Sequence, residues 1–460
     1  MKGEHMNRRS RSFYHNILYG LLLRLSSARK MRIGKIGAVL LTIALTACIG
    51  SDTALPLPNA TATIGSFGLI DYNVARPLHV EGRFVKDSLN RTIYLRGGWA
   101  PIFEDTCNAR AAIAGESWNS YLATTKWRPE AVNLLFDTAK SWGFNSIATF
   151  IWMDWWIYNS RSELGVSRDT IVTDRPYQTN IDEFLTLAGM KGIYVQLRPY
   201  GVEAGWGSVG EGRVNFPFPV LGEPYAHDGH IIPNATAFAE FWYDVSYKLS
   251  HHPNVIYNLY DEPYISNRQV WLDAAELAVR RIREAENETG GYKHLIQIHW
   301  GWCGSCLWIG DWIDQGKTLD NMIFSNHIYR SQGGGAEDTF GPPPYPYNYS
   351  VQKSILQYEA NDPGIPDPYK PYGRAWKYVV DTYNVPIIAT FGAYQGWSDD
   401  QEYKSFQNIA SILNEWGIGY WVYVWWRTGT SFSIVNDGVV VSSPSRVGQA
   451  LIDAIADGKT

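Results

Sequence analysis

The chain has 460 residues, of which 18% are charged, and a formal net charge of −5. This balance is typical of a soluble globular protein and, lacking a basic excess, argues against nucleic acid as a partner. The length needs no second folded domain, because one α/β barrel commonly reaches it. Aromatic residues are abundant, with 20 Trp and 29 Tyr, and flat rings either cover sugar faces or fill a large core.

The N-terminal part predicts an export signal. A basic segment, 31–35, precedes the apolar run 36–47, which has signal-peptide length and is too short to span a membrane as a mature helix. The run ends in Leu45-Thr46-Ala47-Cys48, which resembles a bacterial lipobox, and an ordinary secretory signal is the alternative. We expect an extracytoplasmic protein, either lipid-anchored at Cys48 as its only membrane contact or secreted. The predicted segments are an upstream extension (1–30), the signal (31–48), a flexible tether (49–69) and one barrel domain (70–460).

Three further cysteines follow, Cys107, Cys303 and Cys306. The last two have the spacing of a zinc half-site, but no second pair of ligands at suitable spacing completes it. A structural disulfide is therefore predicted for this pair, and a bond from Cys107 to one of them stays open. No phosphate loop or dinucleotide fingerprint implies a cofactor, and no visible ligand set implies a Lewis-acid metal, so the sequence predicts neither.

A small hairpin predicted at Leu78–Asn90 would close the barrel floor, and apolar strand-like runs and amphipathic helical stretches alternate from Thr92 to the end. Eight strand-helix units in series predict a (β/α)8 TIM barrel of the α/β class with extended βα loops. The longest interruption, Arg330 to about Tyr372, is interpreted as a loop that covers the substrate. The predicted strands are 92–99, 145–152, 193–199, 255–260, 294–299, 322–327, 386–390 and 419–425. The predicted helices are 128–142, 181–190, 235–250, 269–286 and 445–456.

The stretch 251–263, which reads HHPNVIYNLYDEP, resembles the acid/base strand of family 5 glycoside hydrolases and of their clan A barrels, which include cellulases and mannanases. In that family an Asn-Glu-Pro triplet follows such a lead-in. Similar matches at 78–83, 94–99, 143–147 and 325–329 extend the resemblance over about residues 70 to 458. The resemblance implies a hydrolase of β-linked poly- or oligosaccharide.

The resemblance assigns Glu262 as the catalytic acid, because a poor glycosidic leaving group departs more easily when a carboxylic acid protonates it. A strand-end Glu paired with an Arg is the structural alternative. His327 and Tyr329 lie two residues apart on one strand, so they point to the same side, towards the substrate or into a barrel layer. Trp425 matches the family's platform Trp, although Trp426 leaves the register open. The predicted substrate-binding residues are His327, Tyr329, Trp425, Trp99 and Tyr200.

Several family positions are changed in this chain. Asp261 replaces the Asn partner of the acid, Ala148 stands at an Arg position, and Pro199-Tyr200, preceded by Arg198, stand near a His position. Thr390 replaces the nucleophilic Glu and offers neither a charge nor an evident activating base.

Four explanations of the missing nucleophile remain open. A second carboxylate from a loop could act, with inversion through an activated water if the separation is wide. Asp261 and Glu262 could support substrate-assisted hydrolysis of N-acetylhexosaminides. The barrel could perform another reaction, or it could be a noncatalytic carbohydrate-binding lipoprotein. The sequence does not predict the oligomeric state. The loop carboxylates proposed are Asp154, Glu203, Glu104 and Asp105.

Overall fold

The computed structural model divides the chain into two units, Met1–Ile70 and Asp71–Thr460, and all described residues belong to the second. The predicted signal, Cys48 and the tether therefore lie outside the described part. No helix within that part is long and apolar enough to cross a membrane. The described residues are 74–100, 129–158, 176–200, 216–222, 232–263, 265–301, 305–329, 348–392, 399–425, 433–436 and 443–457.

Eight parallel strands form a closed barrel, as the sequence predicted. In spatial order they run β10-β3-β4-β5-β6-β7-β8-β9. Closure comes from β10, which pairs with β3 at Tyr420 and Arg96 and with β9 at Gly419 and Ile388. The barrel strands are β3 (Arg96–Trp99), β4 (Ser146–Trp152), β5 (Tyr194–Tyr200), β6 (Val255–Asn258), β7 (Leu295–His299), β8 (Met322–Ile328), β9 (Ile387–Gly392) and β10 (Gly419–Tyr423).

The strands are buried almost throughout, which explains their near-continuous apolar sequences. All seven residues of β4 and all seven of β8 are buried, as expected when a parallel sheet has a packed interior and a helical exterior. Glycine is needed at Gly97 because a Cβ there would lie 1.8 Å from the backbone oxygen of Ser146 on the neighbouring strand. This close approach explains the small residues of β3.

Ten helices are described. Side-chain caps mark three of their starts, since Asn234, Asn267 and Asn348 each accept a hydrogen bond from a backbone N–H of the first turn. Five helices match predicted ones to within four residues at each end. The helices are α1 (Pro129–Ser141), α2 (Met153–Tyr158), α3 (Tyr177–Met190), α4 (Ala235–Leu249), α5 (Arg268–Thr289), α6 (Trp308–Asp314), α7 (Tyr349–Gln357), α8 (Trp376–Tyr383), α9 (Asp399–Trp416) and α10 (Arg446–Asp457).

The predicted loop from Arg330 to Tyr372 needs correction. Its second half contains α7 and a short 3-10 helix at Lys370–Tyr372. Helix α7 packs against α8 and α9, so this half belongs to the helical layer around the barrel. Its buried face holds Ile355 and Leu356, an apolar pair that the surrounding proline-rich sequence obscured. Residues 330–347 lie outside the described part, so a substrate-covering role stays a prediction there.

The predicted hairpin is present as β1 (Leu78–Glu81) and β2 (Phe84–Asp87), which pair antiparallel. Asn321, directly before β8, attaches it to the barrel. Its Oδ1 accepts from the Val80 N–H at 2.9 Å, and its Nδ2 donates to the Leu78 carbonyl at 3.2 Å. Because residues that precede the strands lie at their N-terminal ends, the hairpin sits at the end of the barrel opposite the mouth.

The disulfide predicted for Cys306 is absent from the structure. Cys306 is a free, buried thiol, and its Sγ lies 4.0 Å from Nδ2 of Asn326. Burial raises the pKa of this thiol, since a thiolate would be poorly solvated there. Cys107 and Cys303 lie outside the described residues. The Cys-x-x-Cys spacing was therefore a misleading signal at Cys306, which packs in the apolar core.

Candidate active site

Glu262 lies four residues beyond β6, at the C-terminal end of the barrel strands, and it is only 4% exposed. Its backbone has φ 52°, a left-handed conformation that costs free energy for a residue with a Cβ. The Glu262 N–H donates to Nδ1 of His299 at 2.8 Å, which helps to hold this conformation. Backbone strain of this kind is frequent at functional sites. The structure thus fixes this carboxyl group at a strained, enclosed position.

His327 faces Glu262 from the end of β8. Its Nδ1 contacts Oε1 of Glu262, while its Nε2 lies 3.5 Å from Oδ1 of Asp261. One imidazole ring therefore lies between the two adjacent carboxylates. Burial alone would lower the pKa of His327, but the charges of Glu262 and Asp261 outweigh it and raise the pKa to about 9. His327 is an imidazolium at neutral pH.

The surroundings of the two carboxyl groups shift their pKa values in opposite directions. Burial raises the pKa of Glu262, because the ionised form loses hydration and the opposing charge of His327 compensates only in part. Burial also disfavours ionisation of Asp261, yet the Arg198 guanidinium and then His327 outweigh it and lower its pKa. Two carboxyl groups whose environments separate their pKa values are the usual sign of an acid and an anion with different roles. Glu262 is the one suited to carry a proton.

Arg198 spans the barrel interior. It starts on β5 and is 2% exposed. Its Nη1 lies 3.2 Å from Oδ1 of Asp261, and its Nη2 donates to Oγ1 of Thr390 on β9 at 3.1 Å. In the barrel order β5 and β9 stand on opposite sides. The position where the resemblance expects a nucleophilic carboxylate therefore holds a neutral hydroxyl, bonded to a cation from the opposite wall.

His299, the last residue of β7, contacts Glu262 from a second direction. Its Nδ1 accepts the Glu262 N–H, so the ring proton of the neutral form is on Nε2. Burial, followed by the nearby charge of His327, lowers the pKa of His299, and the two rings lie 4.3 Å apart. His299 is therefore a neutral ring beside a charged one.

Aromatic rings line the described part of the mouth. Tyr329 lies edge-on to His327 with ring centroids 5.3 Å apart, as expected for residues on the same side of β8. Tyr423, at the end of β10, is partly exposed and stacks on Trp99 with a centroid distance of 4.6 Å. It also approaches Tyr329 edge-on at 6.3 Å. Three of these rings thus form a continuous aromatic wall next to the His327–Glu262 pair.

Trp425, another predicted substrate-binding residue, is not part of this wall. Trp425 is fully buried and stacks on Trp142, with centroids 5.1 Å apart and an interplanar angle of 19°. Its ring also meets Phe144 edge-on, which favours the core-packing alternative over a sugar platform for Trp425. Tyr200 ends β5, but its side chain lies outside the described part, as does the side chain of Asp154. The remaining proposed loop carboxylates, Glu104, Asp105 and Glu203, also lie outside it.

Sequence reasoning did not identify His299 and Tyr423 as site residues, and it noted Arg198 without assigning it a role. His299 ends a predicted strand, and a polar residue at the C-terminal end of a barrel strand is the signal that could have identified it. Arg198 was noted without an orientation, because the alternation of a barrel strand does not say which interior layer a long side chain reaches. Tyr423 was overlooked in favour of the tryptophans that follow it.

The comparisons agree with this architecture. The sequence matches the profile described as Cellulase (glycosyl hydrolase family 5) over residues 111–429, more than half of the chain. The chain belongs to glycosyl hydrolase family 5. It is therefore a glycoside hydrolase with a (β/α)8 barrel, as the sequence predicted.

Similar solved structures support the fold of this family 5 enzyme. The native form of the β-glucanase SdGluc5_26A from Saccharophagus degradans is 17% identical, with a TM-score of 0.55, and the match covers 86% of this chain and 99% of that one. The complex of the same β-glucanase with cellotetraose is 18% identical, with a TM-score of 0.55 and coverage of 87% and 100%. No curated protein matched the chain.

The charge of His327 predicts a pH effect in this family 5 enzyme. Replacing His327 by Asn removes a cation beside Glu262, and an opposite charge at such a distance lowers a carboxyl pKa by about 1 to 3 units. The alkaline limb of the kcat/KM profile reports the pKa of an essential acid in the free enzyme, so it should move to higher pH by that amount if Glu262 is that acid. The measurement is kcat/KM against pH for the native enzyme and H327N. The remote His79→Asn variant is the control, and an unmoved alkaline limb in H327N would contradict the pairing.

Proposed function

We propose that this enzyme hydrolyses β-linked poly- or oligosaccharides, with Glu262 as the general acid. The observation that carries the proposal is the burial of Glu262 at the mouth of the barrel, between His299 and His327, with a raised pKa. A buried carboxyl group whose pKa is raised keeps its proton to higher pH than an exposed one, and it can donate that proton to the departing glycosidic oxygen. Tyr423, the partly exposed ring of the aromatic wall, is supported from behind by Trp99 and Tyr329 and is proposed to contact a sugar ring.

A β-linked glucan is the substrate that we propose first. The proposal rests on the fold shared with the β-glucanase from Saccharophagus degradans, whose complex contains cellotetraose. Aromatic faces recognise the flat apolar surfaces of β-linked chains and discriminate poorly between glucose and mannose units. Mannan is therefore the second substrate to test.

The second catalytic group is proposed to come from a loop and not from β9. Thr390 cannot attack the anomeric carbon as a carboxylate would, and Arg198 already bonds its hydroxyl. If the loop group stands far enough from Glu262 to admit water, hydrolysis proceeds with inversion, whereas a closer group acts as nucleophile with retention. Substrate-assisted hydrolysis through Asp261 is less favoured, because Arg198 and His327 both approach its Oδ1.

The test is hydrolysis of a panel of β-glucans, mannans, xylans and N-acetylated oligosaccharides by the native enzyme and by Thr390→Glu. We expect release of reducing sugar from a β-glucan or a mannan, and the anomer formed first, read by NMR, distinguishes inversion from retention. Release only from N-acetylated oligosaccharides would favour the substrate-assisted route. Binding without turnover on every substrate would contradict the proposal and favour the noncatalytic alternative. Because Arg198 could pair with a carboxylate at position 390, Thr390→Glu should fold and tests whether the usual nucleophile position is usable.

We also propose that the enzyme is exported and anchored through a lipid on Cys48. The proposal rests on the basic segment 31–35, the apolar run 36–47 and the lipobox-like string that ends in Cys48. Recovery of Cys48→Ser in the membrane fraction to the same extent as the native chain would contradict it.

A further inference from the structure

A second cluster of titratable side chains lies apart from Glu262. Asp182 belongs to α3, and His251 and His252 form the turn between α4 and β6. The Nε2 atom of His251 lies 3.2 Å from Oδ1 of Asp182, and the Nε2 atom of His252 lies 2.9 Å from the same oxygen. The two imidazole rings are 4.0 Å apart. Two imidazole nitrogens and one carboxylate thus converge on one point.

This cluster is at the opposite end of the barrel from the active site. His252 stands three residues before β6, whereas Glu262 stands four residues after it. A strand advances by about 3.3 Å per residue, so the two sites are separated by the length of the strand and by its flanking turns. No residue of the cluster takes part in the proposed hydrolysis.

We propose that Asp182, His251 and His252 bind one divalent transition metal ion of the zinc type. Around a tetrahedral zinc ion with ligand distances of about 2.0 to 2.1 Å, neighbouring ligand atoms are about 3.3 Å apart. The two observed nitrogen-oxygen distances are within a few tenths of an ångström of that value. A small outward movement of the exposed Asp182 carboxylate is all that the ion requires.

The donor set selects the class of metal. Neutral imidazole suits zinc and other late first-row divalent ions, whereas calcium and magnesium prefer oxygen ligands. The His252 side chain is buried, so its ring is held in place beside the Asp182 carboxylate. His251 and Asp182 are largely solvent-exposed, which leaves a path for the ion and a fourth position for water. Once bound, the ion would tie α3 to the turn before β6.

The test is metal binding by the full-length protein, produced without a polyhistidine tag. Isothermal titration with Zn²⁺ is compared for the native chain, His251→Ala and Asp182→Asn, and Co²⁺ absorption reports the coordination. We expect both variants to lose one equivalent of bound Zn²⁺ or to bind it at least about tenfold more weakly. We also expect intense tetrahedral Co²⁺ bands in the native protein and not in His251→Ala or Asp182→Asn. Zn²⁺ should raise Tm more in the native chain than in either variant, because a ligand bound only to the folded state stabilises it.

His79→Ala is the matched control, since it removes a partly exposed imidazole from β1, outside the cluster. It should leave the Zn²⁺ stoichiometry and affinity unchanged, and excess Mg²⁺ or Ca²⁺ should not displace the ion. Equal Zn²⁺ binding by the native chain, His251→Ala and Asp182→Asn would overturn the proposal. So would the absence of stoichiometric binding by the native chain. Neither result bears on hydrolysis, because the cluster and Glu262 are independent.

Discussion

Glu262→Gln should lower kcat/KM on a β-glucan by about 10²- to 10⁴-fold, the usual contribution of a positioned general acid. Glutamine has nearly the same shape and keeps an oxygen that can accept from Nδ1 of His327. The backbone N–H bond to His299 is unaffected by the change. The loss therefore comes from the missing proton and not from a collapsed site. The measurement is kcat/KM from reducing-sugar release, together with Tm to show that the variant is folded.

The leaving group provides a second, sharper readout of this change. A dinitrophenolate leaves without protonation, so on a dinitrophenyl β-glycoside the loss in Glu262→Gln should be much smaller at the bond-breaking step. Glu130→Gln is the control, because Glu130 is exposed in the first turn of α1. If Glu262→Gln lost no more activity than Glu130→Gln, or lost equally on both leaving groups, the assignment of Glu262 as the acid would be wrong.

Arg198→Met should decrease the free energy of unfolding by about 3 to 5 kcal/mol. Removing the guanidinium takes away one of the two cations beside the buried Asp261 carboxylate, the other being His327, and it takes the donor from the Thr390 hydroxyl. Methionine fills most of the volume, so the cost is mainly electrostatic. The measurement is denaturant unfolding at pH 7. Arg83→Met is the control, since the Arg83–Asp381 pair is 34% and 48% exposed, and removing it should cost no more than about 1 kcal/mol.

The double variant Arg198→Met with Asp261→Asn isolates the pair. Asparagine leaves no buried charge without a partner. The double variant should therefore lose less free energy of unfolding than the two single variants lose together. The sign of the pH effect follows from the lowered pKa of Asp261, which stabilises the folded native chain above the ordinary carboxyl pKa near 4. That contribution is lost as the pH falls through the folded pKa. The difference in free energy of unfolding between the native chain and Arg198→Met should therefore become smaller at acid pH. If the effects of the two single substitutions simply added in the double variant, the Arg198–Asp261 interaction would be contradicted.

The barrel could be predicted from the sequence because each buried strand has a recognisable local pattern of residues. Runs such as 146–152 and 322–328 are short, largely apolar and buried along their whole length, a pattern that a strand covered on both faces favours. The boundaries were less certain at β3, which begins at Arg96 instead of Thr92, because Thr92 forms only an isolated bridge with Lys86. Helix α7 was missed because its apolar face is short and a proline-rich stretch precedes it.

The sequence by itself determined the barrel, the position of Glu262 at a strand end and the absence of a carboxylate at position 390, since each depends on residue order. Only the tertiary structure decided what surrounds that carboxyl group. Arg198 is 63 residues from Asp261 and 192 from Thr390, and no local pattern records that a side chain from β5 reaches across to β9. The same is true of Trp425, whose ring packs on Trp142 from a distant helix end. Closing a barrel brings remote residues together, so the partners that set the charge of a site appear only when the strands have met.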